Sequence, residues 1–167
     1  MRRAGRLTAR AVVDAMHLTR PGHFEFELAA VADYLYLKTA ARGPGYRAIV
    51  ASGANIWNAH YYRNSSVMSD GDLVLMDYAP DVGCYTSDIG RMWPVNGTYS
   101  PVQRELYGFV VEYHKVLLKT IQPKRLTGEL AQAAAAAITP LWSEWPWSKP
   151  AYRDAARKMI ESEVAFT

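Results

Sequence analysis

Two aspartates, Asp77 and Asp88, stand 11 residues apart across turn-forming material, Ala79-Pro80-Asp81-Val82-Gly83. Apolar and β-branched runs flank that material on both sides, which predicts a hairpin. With Val82 and Gly83 as its tip, Asp77 lies directly opposite Asp88 on one face, the Cβ atoms about 5 Å apart. Like charges that close repel unless a cation neutralises them. Two divalent ions roughly 3.5–4 Å apart suit such a pair, with one carboxylate chelating and the other bridging. The competing reading is two solvated turn residues.

His60 is the second candidate. It follows Ala51-Ser52-Gly53-Ala54-Asn55, a polar stretch leaving a predicted strand, and loops after strands often carry catalytic groups. An imidazole there can donate a hydrogen bond to a substrate carbonyl or shuttle a proton. His17, His23 and His114 have no comparable context. Cys84 lies on the predicted hairpin with no histidine nearby in sequence, so it reads as a small buried apolar residue. Trp142, Trp145 and Trp147 read as anchors of an irregular loop.

The elements that must hold these groups follow from periodicity and punctuation. Helical spacing runs from Leu7 to Leu18 and stops at Pro21-Gly22; a second helix spans Phe24 to Ala41, with Glu25 and Glu27 where the helix dipole favours acids. Three strand-like runs follow: Tyr46–Ala51, Leu73–Tyr78 and Cys84–Val95. Ser100-Pro101-Val102-Gln103 has the form of a helix start, with Ser as cap, Pro at the first turn and Gln closing a capping box. That helix runs to Ile121, another from Thr127 to Ile138 before Thr139-Pro140, and a last one from Ala151 to Thr167. The predicted class is α+β, with an antiparallel sheet and flanking helices.

Composition narrows the rest. The chain has 167 residues, half of them apolar, a net charge of +3 and one cysteine. A single packed domain is affordable, an internal disulfide is excluded, and a reduced, cytoplasmic compartment is the default. Thr8, Arg10 and Asp14 interrupt the basic start, so no secretory signal is expected, and no run approaches the roughly 18 apolar residues of a membrane span. Five acids and no Lys or Arg fall between Asn64 and Ile89. Clustered carboxylates are the stronger anomaly, and the basic excess elsewhere is read as a solvated face rather than a nucleic-acid surface.

As a set, Ala51-Ser52-Gly53-Ala54-Asn55, His60-Tyr61, Gly71-Asp72-Leu73-Val74-Leu75-Met76-Asp77, Tyr85-Thr86-Ser87-Asp88-Ile89, Arg91, Pro94-Val95-Asn96-Gly97 and Gln103-Arg104-Glu105-Leu106-Tyr107 resemble the pita-bread metallopeptidases, in their Xaa-Pro aminopeptidase and prolidase branch. The clear resemblance covers Gly45 to Val116. It implies a two-metal hydrolase, with manganese foremost and cobalt or zinc as alternatives, acting on peptides with proline in second position. By that resemblance Asp77 and Asp88 are the first two metal ligands, Asp88 bridging, and His60 is the histidine that contacts substrate.

Two local departures concern the metal surroundings: Ala79 stands where the family has Gly, and Gly90 where it has a Thr whose hydroxyl supports the metal shell. A larger one is the lack of the family's later His and two Glu ligands. The resemblance therefore implies that residues 1–167 form the first half of a catalytic domain. Such a half binds metal weakly, is inactive unless completed by a second chain, and exposes an apolar face prone to self-association or homo-oligomer formation. The alternatives are a non-catalytic pita-bread binding module and a metal-free hydrolase of the creatinase kind, against which the retained aspartates argue.

Overall fold

The computed structural model describes residues 1–39 and 41–165, the last three by backbone alone. Ala40 of the predicted second helix, and Phe166 and Thr167 of the predicted last one, lie outside the described residues. The described chain divides into two compact units, Met1–Tyr99 and the helical remainder from Ser100 onward.

The first unit sets two helices against a three-stranded sheet. α1 (Arg2–Leu18) and α2 (Glu25–Lys38) are joined at Pro21-Gly22, where Gly22 takes φ +90°, a conformation that costs glycine little. β1 (Ile49–Ser52), β2 (Leu73–Asp77) and β3 (Gly90–Pro94) form an antiparallel sheet in that order. Alternation along β2 decides its faces. Val74 and Met76 are buried against Ala11, Ala15, Leu28 and Tyr36 of the helices, whereas Leu73, Leu75 and Asp77 are half-buried on the other side. The expected α+β class is what the chain adopts.

The hairpin register differs from the expectation. Asp77 pairs with Gly90, not with Asp88, and Val82 bridges Tyr85 further out. The tip is Gly83-Cys84, with φ of 64° and 66°; positive φ at both central residues is what the tight hairpin turn requires. Cys84 is consequently exposed, with its N–H on Asp81 Oδ1 at 2.7 Å and its sulfur 3.1 Å from Arg42 Nη1. Between tip and ladder the chain leans on another segment: Gly45 N–H donates to Ala79 O, and Asp81 N–H to Gly43 O, both at 2.8 Å. Glycine is needed at 45, since a Cβ there would fall 2.5 Å from Thr86 Oγ1.

The second unit comprises α3 (Pro101–Thr120), α4 (Thr127–Glu144) and α5 (Pro150–Ala165). The capping box at the start of α3 is present: Ser100 Oγ accepts from Gln103 N–H at 3.3 Å and Gln103 Oε1 accepts from Ser100 N–H at 2.9 Å. α4 runs through Pro140 instead of stopping at Ile138. Proline removes one ladder bond, but the far turn is held by other means. Trp147 Nε1–H donates to Trp142 O, and Trp142 Nε1–H to Arg153 O in α5, both at 2.9 Å. The tryptophans do anchor this stretch, with Trp147 4.8 Å and Trp145 5.6 Å from the Phe109 ring. Among the described residues, no helix is long and apolar enough to cross a membrane.

Candidate functional site

Asp77 ends β2, on the face turned away from the helices. Its partner in the ladder is Gly90, two residues beyond the expected Asp88. Asp88 lies two residues before β3, outside the ladder, between the Val82–Tyr85 bridge and Gly90. Asp88 is exposed; the residue before it, Ser87, is tied by its hydroxyl to the buried Thr8 hydroxyl of α1 at 2.7 Å.

Tyr46 holds the first of the two acids. Its hydroxyl donates to Asp77 Oδ1 at 2.6 Å. Burial holds its phenol far above the ordinary value near 10, and the hydrogen bond to Asp77 and the negative charges of Asp77 and Asp88 push it further. A phenol so placed stays protonated and remains a donor, fixing one oxygen of Asp77 and leaving the other for a further partner. Among the described residues, no three His, Cys, Asp or Glu side chains gather as a metal site.

His60 sits after β1 and the 3₁₀ turn Gly53–Trp57, exposed and with φ +53°. Its ring stacks on Tyr62 at 5.9 Å and 8° between planes, and the Arg47 guanidinium lies 5.2 Å from the same Tyr62 ring. Neighbouring residues thus reach both halves of the candidate site, Tyr46 to Asp77 and Arg47 to the Tyr62–His60 stack. The described contacts of His60 do not include either aspartate.

Both ends of the His60 loop are fastened. Asn64, in the left-handed region with φ +48°, accepts from Val50 N–H at 2.8 Å and donates to Ala48 O at 3.0 Å, so its amide stands in for a strand partner along β1. Glu25, which the sequence offers as a helix-start acid and, with Pro21-Gly22, as a weak extension of the resemblance, turns inward and binds Ser52, Asn55 and Ser66. Tyr46, Arg47, Tyr62 and Glu25 were not legible as site residues. Their partners lie up to 41 residues away, and no local pattern announces such a contact.

Comparison with known proteins agrees with this arrangement of elements. The model of Metallopeptidase family M24 matches residues 1–157. The Xaa-Pro aminopeptidase of Haemophilus influenzae is 39% identical over 123 residues, covering 74% of this chain and 29% of that protein. That of Escherichia coli is 38% identical over 145 residues, covering 84% and 33%. Among solved structures, Pseudomonas aeruginosa aminopeptidase PepP superposes with a TM-score of 0.77 at 39% identity, over 84% of this chain and 33% of that one. Zinc-substituted E. coli aminopeptidase P in complex with product gives 0.74 at 37%, over 86% and 33%. The chain thus spans about a third of the length of these relatives, and its helices and antiparallel sheet are part of the pita-bread fold of aminopeptidase P. On the extent of the family match and the identity to these peptidases, the chain belongs to metallopeptidase family M24.

Proposed function

We propose that this chain carries the first part of the active site of a two-metal Xaa-Pro aminopeptidase. Asp77 and Asp88 would be two of the ligands that hold a divalent metal pair, and His60 would face the substrate. The observation that carries this reading is Asp77, half-buried at the end of β2 with one carboxylate oxygen held by the Tyr46 phenol.

The donor chemistry fits in part. Two carboxylates offer oxygen ligands, which suit a hard ion such as manganese and also accept cobalt or zinc. The remaining ligands must come from outside the described residues. When bound, a divalent pair supplies Lewis-acid polarisation of a carbonyl and lowers the pKa of water. The chain's own residues orient and hold. Tyr46 fixes one oxygen of Asp77, the Thr8–Ser87 bond steadies the approach to Asp88, and exposed His60 can donate a hydrogen bond to a peptide carbonyl. The substrate is a peptide with proline in second position, whose tertiary amide lacks the N–H that other peptidases grip. A cytoplasmic site of action accords with the one free cysteine.

A second reading, a peptide-binding module without catalysis, is favoured by the absence of a third converging ligand among the described residues and by Gly90. A chimera separates the two, with this chain replacing the matching third of the E. coli enzyme. Under the first reading it releases the N-terminal residue of an Xaa-Pro peptide with manganese, and Asp77→Ala, Asp88→Ala and His60→Ala each abolish or cripple release. A folded chimera that binds the peptide without cleaving it establishes the second.

A further inference from the structure

Glu25 is fully buried at 0% exposure, and its described partners are all neutral donors. Oε1 accepts from Ser52 N–H at 2.7 Å, Ser52 Oγ at 2.8 Å and Asn55 Nδ2 at 3.0 Å. Oε2 accepts from Ser66 N–H at 3.0 Å, and the main chain doubles that link, with Glu25 N–H donating to Ser66 O at 3.0 Å. Burying a carboxylate is costly unless its lone pairs are filled by hydrogen bonds. Here they are filled by groups from the two ends of one loop.

Ser52 closes β1, Asn55 lies in the turn after it, and Ser66 comes six residues after His60. Asn55 Nδ2 is also 2.9 Å from Ser66 Oγ and 3.2 Å from the Tyr61 hydroxyl, so the network reaches the residue next to His60. The acceptor count is specific to a carboxylate. Glutamine has the same shape but one acceptor and one donor, and it would set an N–H against either Ser66 N–H or the Ser52 and Asn55 donors.

We propose that Glu25 is a positioning residue for His60: its carboxylate bridges Ser52, Asn55 and Ser66, fixing the span of the intervening loop and hence the placement of the imidazole against Tyr62. The functional consequence rests on the reading of His60 given above; the positional one does not.

The test uses the full chain, by amide hydrogen exchange and the NMR signals of the His60 ring, in the wild type, Glu25→Gln and Ser52→Ala. In Glu25→Gln the Ser66 amide should exchange at least roughly tenfold faster, and the His60 ring signals should shift and broaden. The amides of Val74 and Met76 in β2 should keep their protection. Ser52→Ala, which removes the one hydroxyl that donates to Glu25, should give the same pattern at smaller amplitude; if Glu25→Gln does not fold, this variant decides. Unchanged His60 signals overturn the proposal, and so does faster exchange spread evenly over β2 and the helices. Since neither readout involves catalysis, a failed His60→Ala result in the chimera would remove the role of His60 without touching the positional claim.

Discussion

The two units bury their apolar residues in different ways. In the first, two helices cover one sheet face, and the core runs from Ala11 and Ala15 through Leu28 and Tyr36 to Val50, Met76 and Trp93. Two of its buried polar contacts tie the layers together: Thr19 Oγ1 accepts from Trp93 Nε1 at 2.9 Å, and Tyr36 donates to Tyr78 O at 3.0 Å. In the second, the buried cluster is Tyr113, Ala134 and Ile138, supported by Val116, Leu117, Met159 and Ile160. An open apolar groove of about 240 Å³ runs beside it, lined by Leu117, Ile121, Leu130 and Ile138 among others. Val110, Val111, Leu118 and Leu126 remain exposed. Asp77, Asp88 and His60 all belong to the first unit.

The largest effect should come from emptying the denser core. Met76→Ala removes a side chain that is 0% exposed and should cost about 2–5 kcal/mol. Ile138→Ala borders the groove, where neighbours can collapse or water can enter, and should cost about 2 kcal/mol, the low end for such a truncation. Denaturant unfolding followed by tryptophan fluorescence measures both. An Ile138→Ala cost equal to or above that of Met76→Ala would break the contrast.

Alkaline pH should strike the first unit next. Burial raises the Tyr36 phenol above its ordinary value near 10. The folded state therefore holds that proton more tightly than the unfolded one. Its contribution is fully present below pH 10 and is lost as pH rises beyond it. Stability measured from pH 8 to 11 should fall above pH 10, and Tyr36→Phe should lose about 1 kcal/mol at neutral pH but show a shallower alkaline decline. An equal slope in both proteins would remove Tyr36 as the cause.

Much of this was legible in the sequence where the signal is local. Ser100 and Gln103 announced their cap because the partners are three residues apart, and Pro21-Gly22 announced a turn because those residues limit or free φ. The hairpin tip was missed by one place. Gly83 was visible as a turn residue, but nothing marks Cys84 as a non-glycine residue that will take φ +66°. The expected Asp77–Asp88 pair is therefore replaced by Asp77–Gly90, with Asp88 outside the ladder. Pro140 was read as a stop because the tryptophan hydrogen bonds that hold the next turn depend on tertiary packing. Tyr46 and Glu25 gave no warning, since their roles exist only once distant segments meet.

The smallest stability effect concerns Gly90, which faces Asp77 across the ladder. A Cβ at 90 would meet only Asp77 Cβ, at 4.0 Å, an ordinary contact. Gly90→Thr should stabilise the first unit by about 0.5–1 kcal/mol, by lowering the entropy of the unfolded chain and suiting a strand. A loss of stability on thermal unfolding would show that the space beside Asp77 is not what its neighbours suggest.

The most direct measurement is calorimetric titration of manganese into the wild type, Asp77→Ala and Asp88→Ala. Two carboxylates alone should give weak binding, with Kd on the order of 0.1–1 mM, and each substitution should weaken it about tenfold or more. Equal heats from all three proteins would contradict a metal held between Asp77 and Asp88.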